Sequence, residues 1–367
     1  MRNLLVAFLL ILSPTAASAQ PAAVDSVGTA LAGGHNGGVV VGWLDEDRTE
    51  TRGFGSVDST GQRPTARTLF EIGSVTKALT GLLLADAIER GLVDADTPVR
   101  SLLPDTVDWT YADSVAALAQ TMTLEHLATH RSGLPRLPSN LRAVMASPQD
   151  PYAAYGDSAL YAALDDAVLP RAPGTRYEYS NLGMGLLGHL LARRADTTYA
   201  ALVRRRITAP LGLSDTRIHL TDAQQSRFAQ GHNRAGAPAP PWHFDALAGA
   251  GALRSTAADM LAFLQEVRRA LAADRDTASR LQRAMQRAAT PQASTDGDST
   301  RVGFGWHQFS WNGHEVLGHT GGTGGFRSVV ALDRTTGHGV VVLVSTAVSS
   351  RQVAEAGKGL LRALRSH

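Results

Sequence analysis

Phe70-Glu71-Ile72-Gly73-Ser74-Val75-Thr76-Lys77 is the stretch on which the reading of this chain turns. Of its 35 basic residues only two are lysines, Lys77 and Lys358, and one of those two follows Ser74 by three positions. Arginine stays protonated under ordinary conditions, whereas a buried lysine can lose its proton and do acid–base work. On a helix, three-residue spacing puts two side chains on one face, a turn apart. Lys77 is therefore placed to activate Ser74. Taken alone, the same four residues also fit an N-capping serine followed by a surface lysine, so the rest of the chain has to decide.

Working outward, Ser74 to Arg90 predicts a helix, with Leu79, Leu82, Leu83, Ala87 and Ile88 as its apolar positions and Gly91 as its stop. Upstream, Gly38 to Leu44 reads as a buried strand, Asp45-Glu46-Asp47-Arg48 as a turn, and Thr49 to Gly55 as the returning strand. From about Thr106 to Phe244 the pattern is mostly helical, with candidate helices at Thr123–Thr129, Ala159–Val168, Leu182–Arg194 and Tyr199–Ile207. The proline-rich stretch Ala235 to Trp242 is a surface loop that can line a cleft. Leu253 to Leu271 is helical again, and Thr290 to Arg301 is a polar loop or hairpin tip. Strands follow at Val302–Trp311, Glu315–His319, Ser328–Asp333 and Gly339–Ser345, with a closing helix from about Gln352. This order predicts an α+β fold: an antiparallel sheet flanked by helices, built from both chain ends, with a mostly helical subdomain inserted. The sheet subdomain takes about residues 27–100 and 250–367, the helical one about 101–249.

Composition sets the class. A hydrophobic content of 44%, a charged content of 19% and a net charge of +2 over 367 residues describe an ordinary globular protein with a large core. Arg204-Arg205-Arg206 is a compact basic run without interleaved aromatics, a solvated helix face rather than a nucleic-acid site. Residues 1–19 read as a signal peptide: Arg2, the apolar run Leu4 to Leu12, then Ala17-Ser18-Ala19 before Gln20. That run is too short to span a bilayer, and no later segment is long enough either. There is no cysteine, which excludes thiol catalysis, disulfides and cysteine metal sites. The expected mature protein, 20–367, is periplasmic or secreted and a monomer, with no membrane span.

Two further segments carry chemistry. Tyr179-Ser180-Asn181 precedes a helix, so Tyr179 and Asn181 can point into one cleft. His319-Thr320-Gly321-Gly322-Thr323-Gly324-Gly325 leaves a strand, and its glycines let a substrate backbone approach and expose N–H groups to an oxyanion. Gly183-Met184-Gly185-Leu186-Leu187-Gly188 matches a dinucleotide glycine fingerprint but lies inside a helical pattern, where small residues serve close packing. His126 and His130 stand four apart without the glutamate of a zinc-protease helix and read as core or loop histidines. No Gly-x-Ser-x-Gly elbow occurs, and no cofactor or metal is implied.

Ser74-x-x-Lys77, Tyr179-x-Asn181 and His319-Thr320-Gly321, in this order, resemble the penicillin-recognising serine hydrolases, and in particular their class C β-lactamase branch, which includes DD-peptidases and esterases. Thr129-His130-Arg131-Ser132-Gly133-Leu134-Pro135, Gly249-Ala250-Gly251 and Ser255-Thr256-Ala257 are similar as well, so the resemblance covers about residues 27 to 364. It implies Ser74 as the acylated nucleophile, Lys77 as a cleft cation or proton shuttle, and Tyr179 as general base. Tyr179 would then need neighbouring cations to bring its pKa down from about 10. Asn181, Thr320 and Gly321 would bind substrate, and the Ser74 and Gly322 N–H groups would form the oxyanion hole. His319 stands where the family's drug-hydrolysing members usually have lysine, so the resemblance implies carboxylate recognition that is weaker or that falls to another cation such as Arg327. The implied pH signature is a KM for carboxylate substrates that improves from about pH 8 to about pH 6. The implied activity is β-lactam hydrolysis, with DD-carboxypeptidase or small-ester hydrolysis as alternatives and a non-catalytic cell-wall-sensing relative as a further one. The partner in each enzymatic reading is a small molecule: a β-lactam, a D-Ala-D-Ala-type peptide or an ester.

Overall fold

The computed structural model describes residues 19–33, 37–107, 120–167, 169–295, 300–311 and 313–365. Apart from Ala19, the expected signal peptide lies outside them. The frame is an eight-stranded antiparallel sheet of β1 (Gly38–Asp45), β2 (Arg48–Gly55), β3 (Ala293–Ser294), β4 (Thr300–Val302), β5 (His307–Trp311), β6 (His314–Gly322), β7 (Arg327–Asp333) and β8 (Gly339–Val344). Its order is β2-β1-β8-β7-β6-β5-β4-β3. The first strand pairs with the last, Val39 opposite Val344 and Trp43 opposite Val340, so both chain ends build one sheet as the element order requires.

Both sheet faces are covered, which explains the unbroken apolar run of β1: alternate residues go to opposite cores. Val39, Val41 and Trp43 join Val340, Val342 and Val344 under α1 (Ala19–Ala32) and the C-terminal helix. Val40 and Leu44 join Leu317, Val330 and Leu343 beneath the remaining helices. Helix α1 was not expected from the sequence. Its apolar residues Val24 and Leu31, seven apart, are buried in the first of these cores.

Helix α2 (Thr76–Glu89) runs through the second core, buried without a break from Thr76 to Asp86. Such a helix lets its neighbours approach only where they lack side chains. A Cβ on Gly81 would fall on the Phe304 carbonyl, and one on Gly305, at φ +69°, on the carbonyl of Lys77. For this reason the single strand expected at Val302–Trp311 is broken into β4 and β5, with Gly303 to Trp306 wrapping the helix. Helix α3 (Asn181–Arg194) carries the glycine pattern, and there Gly188 packs against Gly249 and Gly185 against Leu247. Close helix packing is thus its use. Helix α4 (Ala257–Ala272) begins four residues later than expected, because Arg254–Ser255 pairs with Phe70–Glu71 in a short ribbon. Helix α5 (Arg280–Ala289) was not foreseen, and α6 (Ser350–Leu364) closes the chain.

Candidate active site

Ser74 sits in a 3-10 turn, Gly73–Val75, that feeds α2. Gly73 takes φ +48° and lies against Gly322 of β6, where a Cβ would stand 2.6 Å from the Gly322 nitrogen. A side chain on Gly321 would fall on the Ile72 carbonyl, and the Ser328 hydroxyl donates to that same carbonyl at 2.8 Å. Strand and Ser74 turn are thereby held in register. Strand β5 pairs with β6 only from His314 to Gly318, so among the described residues His319 to Gly322 have no strand on that side and border the cleft.

Lys77, one turn beyond Ser74, is fully buried. Its Nζ lies 3.0 Å from Ser74 Oγ, 2.9 Å from Asn181 Oδ1 and 2.6 Å from the Ala250 carbonyl. The last two oxygens only accept, so two ammonium protons are committed to them. The third position faces Ser74 Oγ, where a charged lysine donates and a neutral amine accepts. Burial first, and then the Arg136 charge, push the Lys77 pKa well below its usual 10.5.

Tyr179 hydrogen-bonds Ser74, and its ring centre lies 5.0 Å from Lys77 Nζ and 4.9 Å from Arg136 Cζ. The cations that the sequence called for are present, yet burial outweighs them and pushes the phenol up to about 12. The neighbouring cations therefore do not bring the phenol below its usual pKa of about 10, which the general-base reading would need. Asn181 opens α3 behind Ser180, whose hydroxyl caps the helix by accepting the Gly183 N–H at 2.8 Å. The Asn181 side chain holds Lys77 on one side and hydrogen-bonds Tyr152 on the other.

His319 departs furthest from expectation. It is buried, its Nδ1 donates to the Thr320 carbonyl at 2.6 Å, and its ring centre lies 5.1 Å from that of His307. Burial, followed by the charges of His307 and Lys77, pushes its pKa well below 6.5. Burial therefore favours the neutral imidazole, which runs against the expected KM change between pH 8 and pH 6. Arg327 lines the cavity, but its Nη1 donates to the carbonyls of Thr323 and Phe326 at 2.7 and 2.6 Å, which ties it to the glycine-rich turn. Arg136 is an exposed cation lining the same cavity.

A cavity of about 690 Å³ joins Ser74, Tyr179, Asn181 and His319 through Thr323. Its walls include Tyr152, Trp242, Arg136 and His307, none assigned a role from the sequence. Trp242 ends the proline-rich loop, which does line the cleft. Its backbone N–H donates to Glu71 at 2.7 Å and its indole N–H to the Gln149 carbonyl at 2.7 Å. Tyr152 stacks on Phe244 with centroids 4.7 Å apart. Among the described residues no cluster of three His, Asp or Glu could hold a metal ion, and no helix is long and apolar enough to cross a membrane.

A serine joined to a buried lysine, a tyrosine and an asparagine beside an open strand edge defines the serine hydrolase class. Known proteins agree. A family model described as Beta-lactamase matches residues 19–364, and the chain belongs to that family. It is similar to a beta-lactamase of Pseudomonas fluorescens, 25% identical over 89% of this chain and 93% of that protein. It is also similar to the D-alanyl-D-alanine-carboxypeptidase/endopeptidase AmpH of Escherichia coli (strain K12), 29% identical over 79% of this chain and 74% of the other. An unguisins hydrolase of Aspergillus violaceofuscus is 26% identical over 85% of this chain, which spans 59% of that longer protein. In fold the chain matches a beta-lactamase/D-alanine carboxypeptidase from Pseudomonas syringae, with a TM-score of 0.79 at 20% identity, covering 94% of this chain and 99% of that one.

Proposed function

We propose that this chain is an exported, monomeric serine hydrolase that forms an acyl-enzyme at Ser74, with class C-like β-lactam hydrolysis as its activity. The observation that carries the acyl-enzyme reading is the three-way bonding of Lys77 Nζ. With Asn181 Oδ1 and the Ala250 carbonyl fixing two protons, an amine of lowered pKa turns its lone pair to Ser74 Oγ. Lys77 then takes the Ser74 proton as Oγ attacks the carbonyl carbon. The developing oxyanion is met by the backbone N–H groups of Ser74 and Gly322. When the carbonyl–leaving-group bond breaks, the Tyr179 phenol supplies the leaving group's proton, and its phenolate is reprotonated from the Lys77 ammonium. Water later attacks the ester carbonyl and releases Ser74. Asn181 and the edge His319-Thr320-Gly321 hold the substrate amide. Sheet and helical subdomains meeting at this cleft, about 27–100 with 250–367 and about 101–249, fit the same reading.

A second reading, hydrolysis of a small ester or a D-Ala-D-Ala-type peptide, is favoured by one observation: His319 is buried with its Nδ1 turned to the Thr320 carbonyl, where it offers no exposed charge to a β-lactam carboxylate. Mass spectrometry of wild type and Ser74→Ala with a β-lactam and with a fluorescent ester separates the outcomes. Rapid lactam turnover supports the first reading, a long-lived lactam adduct the peptidase, and ester turnover alone the esterase. Wild type without a Ser74-dependent adduct or product from either compound would refute both.

A further inference from the structure

We infer that His130 is the positioning residue for Tyr179, an assignment that rests on the proton-donor reading of Tyr179 above. The two backbone amides flanking Tyr179 both end on this residue. The Glu178 N–H donates to the His130 carbonyl at 2.7 Å, and the Ser180 N–H donates to the His130 ring nitrogen Nδ1 at 3.1 Å. The imidazole itself lies along the phenol, with ring centroids 4.4 Å apart and planes inclined by 33°. One residue thus fixes the segment on both sides of the phenol, through its main-chain carbonyl before it and its ring nitrogen after it, and the ring lies along the phenol between.

Two further bonds of this segment go to the same partner stretch. The Ser180 hydroxyl donates to the Pro135 carbonyl at 2.7 Å, and the Asn181 N–H to the Arg136 carbonyl at 2.9 Å. Residues 178–181 are laid on residues 130–136, with His130 at the end nearest Tyr179. To present carbonyl and ring together, His130 takes φ +57°, a left-handed conformation uncommon outside glycine and asparagine.

The chemistry of the contact selects the residue type. Because Nδ1 accepts, the ring proton sits on Nε2. Burial, and then the charge of His307, hold the ring neutral by pushing its pKa well below 6.5, which preserves the Nδ1 lone pair that Ser180 requires. Asparagine shares both requirements, a tolerance for positive φ and an acceptor oxygen close to the place of Nδ1. Glycine meets only the first.

Two esters of one acyl group test the assignment, one with a p-nitrophenyl and one with an ethyl leaving group. Nitrophenolate departs without a proton, whereas ethoxide must take one from Tyr179, so only the ethyl ester reads the placement of the phenol. In the full chain, His130→Gly is expected to lower kcat/KM for the ethyl ester about 30- to 100-fold and for the nitrophenyl ester less than about threefold. His130→Asn is expected to restore the ethyl ester to within about fivefold of wild type. Equal losses on both esters, no loss on either, or an Asn variant no better than Gly would overturn the inference. Absence of Ser74-dependent turnover of either ester by the wild type would instead overturn the reading of the site, and this inference with it.

Discussion

At the residue scale the decisive quantity is the charge of Lys77. An amine that must be unprotonated to accept the Ser74 proton works above its own folded pKa, which burial has brought well below 10.5. kcat/KM for a neutral ester should therefore rise about tenfold per pH unit below that pKa and level off above it. Lys77→Arg keeps a donor but can never accept, so it should lower kcat by about a thousandfold or more at every pH while the fold is retained. Rate profiles of the two proteins check this, and an arginine variant retaining a tenth of the activity would contradict it. His319 makes the complementary prediction. KM profiles for carboxylate and neutral substrates should run parallel from pH 8 to pH 6, and His319→Lys should lower KM for the carboxylate substrate about fivefold, roughly 1 kcal/mol. Ser74, Lys77, Tyr179, Asn181 and His319 were legible as residue types at fixed spacing. The protonation states of Tyr179 and His319 were not, because each is set by how completely neighbours from distant parts of the chain exclude water. The Ala250 carbonyl, as a backbone group, leaves no mark in residue identity at all.

At the scale of elements, the site depends on how closely β6 presses on the nucleophile turn. Gly321→Ala places a methyl on the Ile72 carbonyl, and the strand can only withdraw, taking the Gly322 N–H with it. Activity should fall at least about a hundredfold, with a destabilisation of about 1–3 kcal/mol read from thermal melting. Gly313, whose Cβ would meet nothing within 4 Å, lies in the same region of the chain, but its φ of +78° makes it unsuitable as a neutral control. Gly359, which has open space, serves better. Long elements such as α2 and α3 were readable because apolar residues run through them and, for α2, Gly91 marks the stop. Helix α5 escaped notice because its buried side is mostly alanine, namely Ala284, Ala288 and Ala289 around Met285, which gives little hydrophobic contrast. Its arginines have a partner only in three dimensions: Arg283 and Arg287, together with Arg275, converge on Glu89 of α2. The break between β4 and β5 was hidden for a similar reason, being dictated by a helix more than two hundred residues upstream.

Across the whole molecule, the pairing of β1 with β8 means that the sheet is complete only when both chain ends are in place. Helix α6 covers one side of that junction with Val353, Leu360, Leu361 and Leu364. Burying each such side chain contributes about 1.5–3 kcal/mol, so removing residues 350–364 forfeits about as much as a domain's entire stability of 5–15 kcal/mol. The shortened chain should be recovered unfolded or aggregated, and a soluble, cooperatively melting product would contradict this. That both ends share one sheet was readable from the order of elements, whereas the helix α1 that shares this core was masked by its position next to a leader-like segment. The distribution of lysine has a practical consequence at this same scale. With Lys77 buried beside Ser74 and Lys358 partly exposed on α6, bonded to Glu355, lysine isotope-labelled at its side-chain nitrogen alone would give just two resonances, one buried and one part-exposed. The chain thus carries its own spectroscopic reporter, in which the protonation of the buried Lys77 amine can be followed by titration against an internal reference on the same molecule.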